Sequence, residues 1–220
     1  MRQESLFPMA KGHMGTDESG KGDYFGPLVT AGVFLPEGQE AVFKELGIKD
    51  SKRLSDNRIQ SLADSIKQGY PFSVVAIGPE KYNALYDKFR NLNKLLAWAH
   101  SRVIENILEE VNCSRVITDQ FGDERFVTSA LMKKGKAIEL VQRPKAEEDL
   151  AVAAASILAR AEFLKRLHFL SRDAGLELPK GASSKVVDAA INLVKKQGVQ
   201  ALDKYAKMHF KTTKKILSNL

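Results

Sequence analysis

Cysteine occurs once in this 220-residue chain, at Cys113, and tryptophan once, at Trp98. A single thiol excludes an internal disulfide and fits a reducing cytoplasm, where it reads as a small buried hydrophobe. The four histidines, His13, His100, His168 and His209, show no metal-binding spacing. Paired cysteines for zinc and a Ser-His-Asp signature are also missing. No apolar run reaches the roughly 18 residues that cross a bilayer. The opening stretch from Met1 to Pro8 is too short and polar for a secretory signal. There is no internal repeat and no low-complexity linker. These absences point away from membranes, secretion and thiol chemistry and toward the cytoplasm; separately, the protein is expected to be a monomer.

What is present is ordinary in amount and uneven in place. Hydrophobic residues make up 44% and charged ones 28%, enough for a sizeable core in one large domain or two small ones. The net charge of +7 lies wholly in the last fifth of the chain. Residues 180–220 hold nine lysines and two aspartates, and the rest balances at 25 basic and 25 acidic side chains. Such asymmetry suits a polyanion, because lysines near phosphates release condensed counterions; it also suits a solvated helix face.

Periodicity predicts strands over 27–36, 70–77, 115–118 and 138–142, with the stretch before Asp17 pairing with the first. Helices are predicted over 55–68, 92–111, 124–133, 150–168, 185–196 and 199–205. Leu95, Leu96, Ala99, Val103, Ile104, Ile107 and Leu108 face inward from the long helix, with Trp98 in the core. The alanine- and serine-rich start of the helix at Leu150 allows close backbone approach. Together these make a mixed α/β domain with a basic helical end.

Residues 15–27 carry the most chemistry. Asp17 and Glu18 are ligand types for hard divalent metals, and Ser19, Gly20, Lys21 and Gly22 offer amides and a cation for phosphate. Gly15, Gly20 and Lys21 also match the start of a nucleotide phosphate-binding loop. That motif needs Ser or Thr where Gly22 stands, and Asp17 and Glu18 would repel the phosphates. On a regular strand the two carboxylates face opposite ways, so the glycines after Asp17 are expected to break the strand and let Glu18 swing round. Asp119 follows a short apolar strand at its carboxyl end, where open α/β sheets place their sites. Glu147, Glu148 and Asp149 precede a helix and serve equally for metal binding or for capping.

The ordered set of motifs resembles the type 2 ribonucleases H. It comprises Asp17-Glu18 with Gly20 and Gly22, Gly26-Pro27, Lys49-Asp50-Ser51-Lys52, Thr118-Asp119-Gln120-Phe121, and Lys145-Ala146-Glu147 ahead of Ala151–Arg160. Gly22–Pro27, Asp119-Gln120-Phe121, the glutamate at 147, Leu178–Ala182 and His209-Phe210 look more like ribonuclease HIII than HII. The resemblance implies a ribonuclease H fold with a mixed five-stranded sheet flanked by helices. It implies cleavage of the RNA strand of RNA–DNA hybrids, leaving 3′-hydroxyl and 5′-phosphate ends, with two Mg²⁺ or Mn²⁺ ions. Asp17, Glu18, Asp119 and Glu147 would be the catalytic, metal-binding carboxylates. The interval after Glu147 is one residue short, which leaves Glu148 as an alternative. Gly20, Lys21 and Gly22 would read the 2′-hydroxyls that mark RNA. Ser51, Lys52, Lys180 and Lys185 are candidate backbone contacts.

The expected layout is a short extension over 1–14 and a catalytic domain over 15–220, whose basic helices begin near 180. Ribonucleases HIII usually carry a substrate-binding domain before the catalytic part; only about fourteen residues precede the motif here. Weaker hybrid binding is therefore expected; the likeness to ribonuclease HIII separately implies a need for several consecutive ribonucleotides. Two other readings stand beside this one: a non-catalytic nucleic-acid-binding module, and a nucleotide hydrolase built on Gly15–Lys21.

Overall fold

The structure, a computed structural model, describes residues 11–48, 54–131 and 134–218. Ser51 and Lys52 lie outside the described residues. Five strands, β1 (Gly12–Ser19), β2 (Leu28–Pro36), β3 (Phe72–Ile77), β4 (Arg115–Asp119) and β5 (Glu139–Arg143), form a sheet in the order β3-β2-β1-β4-β5. Strands β1, β4 and β5 run parallel: Met14 pairs with Val116, Thr16 with Thr118, and Asp119 with Arg143. The sheet is mixed and flanked by helices, as the resemblance implies, and the α/β class agrees with the sequence patterning.

The helices are α1 (Glu40–Glu45), α2 (Asp56–Gly69), α3 (Pro79–Phe89), α4 (Leu92–Ile107), α5 (Glu124–Ala130), α6 (Leu150–Ala174), α7 (Ser184–Gln197), α8 (Ala201–Tyr205) and α9 (Lys211–Leu217). Three of them, α1, α3 and α9, are absent from the periodicity reading. Helix α3 starts with Pro79 at its first position, a start signal that the hydrophobic pattern did not show. Helix α4 stops at Ile107 rather than Val111. Helix α6 runs on to Ala174, where Gly175 turns left-handed at φ +65° and ends it.

Residue contacts divide the chain into two compact units. One comprises the chain up to Glu18 with Thr30–Val75 and Asn93–Ala161; the other comprises Ser19–Val29, Ala76–Leu92 and Glu162–Leu220. In the first, Met14, Phe34, Val103, Ile104, Ile107, Cys113 and Val116 form a buried cluster. All seven inward positions expected of α4 are buried, whereas Trp98 is only half-buried. An indole is large and seldom fully buried, and the helix buries His100, Ser101 and Glu105 instead. Gly15 sits directly against the start of α6: a Cβ there would lie 2.2 Å from the Ala151 carbonyl carbon and the Val152 nitrogen. The close approach expected of the alanine-rich helix is therefore made by its first turn.

The second unit packs Tyr24 and Phe25 edge to face at 5.0 Å, both fully buried. Phe25 bridges to Ala206, and Leu178, Val186, Leu193, Leu202 and Ile216 complete its apolar interior.

Candidate active site

Strand alternation decides where the first two carboxylates point. Gly15 and Asp17 share the face that meets α6, and Asp17 hydrogen-bonds with Ser156. Thr16 and Glu18 share the opposite face, where both meet His100 of α4: Thr16 Oγ1 lies 2.9 Å from Nδ1 and Glu18 Oε2 lies 3.3 Å from Nε2. The expected break after Asp17 does not occur. The strand stays regular through Ser19, and the first departure is Gly20 at φ +86°. Continued pairing holds the alternation, so Glu18 is turned toward α4 and does not swing onto the Asp17 face.

Asp119 ends β4, one strand over from Asp17. Its Oδ1 accepts from the Ala146 amide at 3.2 Å. That amide is presented by Lys145, which is left-handed at φ +56° and opens a 3₁₀ turn over Ala146–Glu148. Within the turn Glu147 is half-buried and Glu148 exposed. Asp149 departs from its neighbours: its Oδ1 accepts from the amides of Ala151 and Val152 at 2.9 and 3.2 Å, and its Oδ2 lies 2.9 Å from His13 Nε2. Burial opposes its charge, but the His13 bond and charge and the two amides outweigh burial and hold the carboxyl below the usual range. The acidic cluster therefore divides into a helix cap and a pair of remaining candidates.

Asp17 is the most perturbed of these acids. Burial, then the charge of Glu18, and more weakly that of Asp119, push it up from 3.8 to about 8, against the Glu18 amide and Ser156, which favour the anion. The Glu18 amide donates to Asp17 Oδ1 at 2.7 Å. Mutual repulsion of this kind is what a bound cation relieves. Among the described residues, no three His, Cys, Asp or Glu side chains converge closely enough to hold an ion by themselves. The donor set nevertheless fits Mg²⁺ or Mn²⁺: it is all carboxylate oxygen, and Mg²⁺ binds through one or two carboxylates while water and phosphate complete its shell.

The glycine loop belongs to the second unit. Gly20 has no room for a side chain, since a Cβ would lie 2.2 Å from the Pro27 carbonyl oxygen. Gly22 is exposed, with nothing within 4 Å of a Cβ. Beyond it, Asp23 Oδ1 accepts from the Gly181 amide at 2.6 Å and the Tyr24 amide donates to the Gly181 carbonyl at 2.9 Å. Lys180, beside Gly181, and Lys185 are exposed. Lys207 corrects the view of the basic tail as uniformly solvated. It is fully buried, and its Nζ donates to the carbonyls of Asp23 and Gly26 at 2.8 and 2.7 Å. Burial, partly opposed by the charge of Asp23, lowers it to about 7.

Two groups escaped the sequence reading. His13 pairs with Asp149, and no local pattern links residues so far apart. His100 was dismissed as a ligand, yet it lies four residues after Leu96 and three before Val103, so helical spacing alone faces it inward.

Comparison with known proteins agrees with this architecture. The family model described as ribonuclease HII matches residues 14–213. The ribonuclease HIII of Protochlamydia amoebophila (strain UWE25) is 48% identical over 208 residues, covering 94% of this chain and 69% of that protein. That of Chlamydia trachomatis serovar L2 is 46% identical over 213 residues, covering 95% and 71%. The crystal structure of Bst-RNase HIII in complex with Mn²⁺ superposes with a TM-score of 0.87 at 34% identity, over 96% of this chain and 70% of that one.

Proposed function

The chain belongs to the ribonuclease HII family, and from that premise we propose that Asp17, Glu18, Asp119 and Glu147 are its catalytic, metal-binding carboxylates. It is an endoribonuclease that cuts the RNA strand of RNA–DNA hybrids. One observation carries the residue assignment: Asp17 lies near the carboxyl end of β1 and Asp119 ends the adjacent parallel strand β4, and burial and like charge raise the Asp17 carboxyl to about 8. The Mn²⁺ of the Bst enzyme supports a divalent-metal cofactor in this chain too. When bound, Mg²⁺ or Mn²⁺ activates water and stabilises the leaving 3′-oxygen in an in-line displacement, so the products carry 3′-hydroxyl and 5′-phosphate ends.

The chain's own groups supply position. Asp17 would act from the α6 face of β1, and Asp119 from the end of β4, oriented by the Ala146 amide. Partial burial favours Glu147 over the exposed Glu148 as the fourth carboxylate. Gly20, Lys21 and Gly22 would face the ribose and backbone of the RNA, with Lys180 and Lys185 on phosphates. The catalytic region is taken as 15–220, including the basic helices. A monomeric, cytoplasmic enzyme agrees with the lone buried Cys113 and with large exposed apolar side chains that come from four separate segments, Val42, Phe169, Val199 and Leu217. Among the described residues no helix is long and apolar enough to cross a membrane.

A labelled RNA–DNA duplex tests the reading. Mg²⁺-dependent cutting of the RNA strand, lost in Asp119→Asn, is expected. Full cutting by that variant would overturn the carboxylate assignment, and duplex binding without cutting by the unaltered chain would favour a non-catalytic module.

A further inference from the structure

We infer that His100 is a positioning residue for the reaction: braced by Thr16, it holds the Glu18 carboxylate in its working orientation. This rests on the reading of Glu18 as a metal ligand. Glu18 lies on the β1 face away from Asp17, and the glycines after it do not redirect it, because pairing continues to Ser19. Something on the α4 side must therefore set its rotamer, and His100 reaches it.

Thr16 and Glu18 are two residues apart, so their side chains leave the strand side by side. One imidazole spans both, Nδ1 at 2.9 Å from Thr16 Oγ1 and Nε2 at 3.3 Å from Glu18 Oε2. The chemistry gives the bridge a direction. A carboxylate only accepts, so Nε2 carries the proton it shares with Glu18, and the Thr16 hydroxyl completes the ring's other edge at Nδ1. The ring cannot turn away. His100 is completely buried, Thr16 is too, and the Phe121 ring stacks on the imidazole at 4.9 Å and 23°. Phe121 follows Asp119 by two residues, so the segment leaving β4 also helps hold the ring that orients Glu18.

The bridge engages Oε2 of Glu18. That is the arrangement of outer partners that fix the direction of a metal-binding carboxylate, and losing such a partner typically lowers metal affinity or activity 10–100-fold. A purely structural histidine would not give this result, since its loss would lower stability and leave metal affinity alone.

The experiment compares His100→Leu, His100→Gln, Thr16→Val, Thr16→Ser and Glu18→Gln in the full chain. Mn²⁺ binding is read by calorimetry, and cleavage by kcat and KM on a hybrid duplex. His100→Leu should weaken Mn²⁺ binding and lower kcat about 10–100-fold with KM for the duplex little changed. His100→Gln, whose amide can reach the Nε2 position, should recover most of both. Thr16→Val should give a smaller loss in the same two readouts and Thr16→Ser none. Unaltered Mn²⁺ affinity and kcat in folded His100→Leu would overturn the inference; if that variant does not fold, unaltered values in Thr16→Val would do so. Failure of the underlying reading looks different: Glu18→Gln itself would then bind Mn²⁺ and cut hybrids normally.

Discussion

Replacing Asp17 by Asn should stabilise the metal-free protein while abolishing cleavage. Asp17 rises from 3.8 to about 8 on folding, so between those values the folded chain keeps a proton that the unfolded chain has released. The unfolded state then binds fewer protons, and stability falls as pH rises through that window. Roughly four pH units at about 1.36 kcal/mol each set a ceiling near 5–6 kcal/mol at and above pH 8. Asp17 keeps partial solvent access, and we take about half of that ceiling. Asn still accepts from the Glu18 amide but loses the charged character of that bond, a loss of about 1 kcal/mol. Net stabilisation at pH 8 should be about 1–2 kcal/mol, or roughly 2–8 °C in Tm for a chain of this size. Thermal melts with chelator at pH 5 and pH 8 read it: the variant's advantage must be larger at pH 8. Added Mn²⁺ should reverse the order, since only a folded state that binds the ion gains from it. An equal Asn effect at both pH values would refute the account of Asp17 as a proton-holding acid among like charges.

Other expectations follow from single contacts. Gly22→Ala has open space and should leave Tm unchanged while lowering hybrid cleavage; unchanged kinetics would remove Gly22 from the substrate loop. Gly15→Ala drives a methyl into the backbone of Ala151 and Val152 and should lose about 3 kcal/mol in denaturant unfolding. Lys207 drops from 10.5 to about 7 on folding, so the unfolded chain binds the extra proton between those values and stability rises with pH across the window. Lys207→Met should flatten that slope and lose about 1–3 kcal/mol per stranded carbonyl at Asp23 and Gly26, as urea titrations at pH 7 and 9.5 would show. Glu147→Gln should lower kcat about 100-fold or more and Glu148→Gln only a few-fold; the reverse would move the fourth carboxylate to the exposed position.

Local chemistry determined much of this protein before any fold was known. A short apolar run marked the strand that leads to Asp119, the stretch before Asp17 is expected to pair with the strand at 27–36, and helical spacing marked the buried face of α4. The order of separated motifs was specific enough to show the family. Short-range signals carry such features, because period and turn chemistry act within a few residues. What those signals could not carry is contact between distant segments. Asp149 belongs to a cap and to His13, 136 residues away, rather than to its acidic neighbours. Lys207 is buried under the loop at Asp23, although in sequence it is one lysine among nine. Only tertiary structure decided that Asp17 meets α6 while Glu18 meets His100, because a strand states that two neighbours diverge but not what each will find.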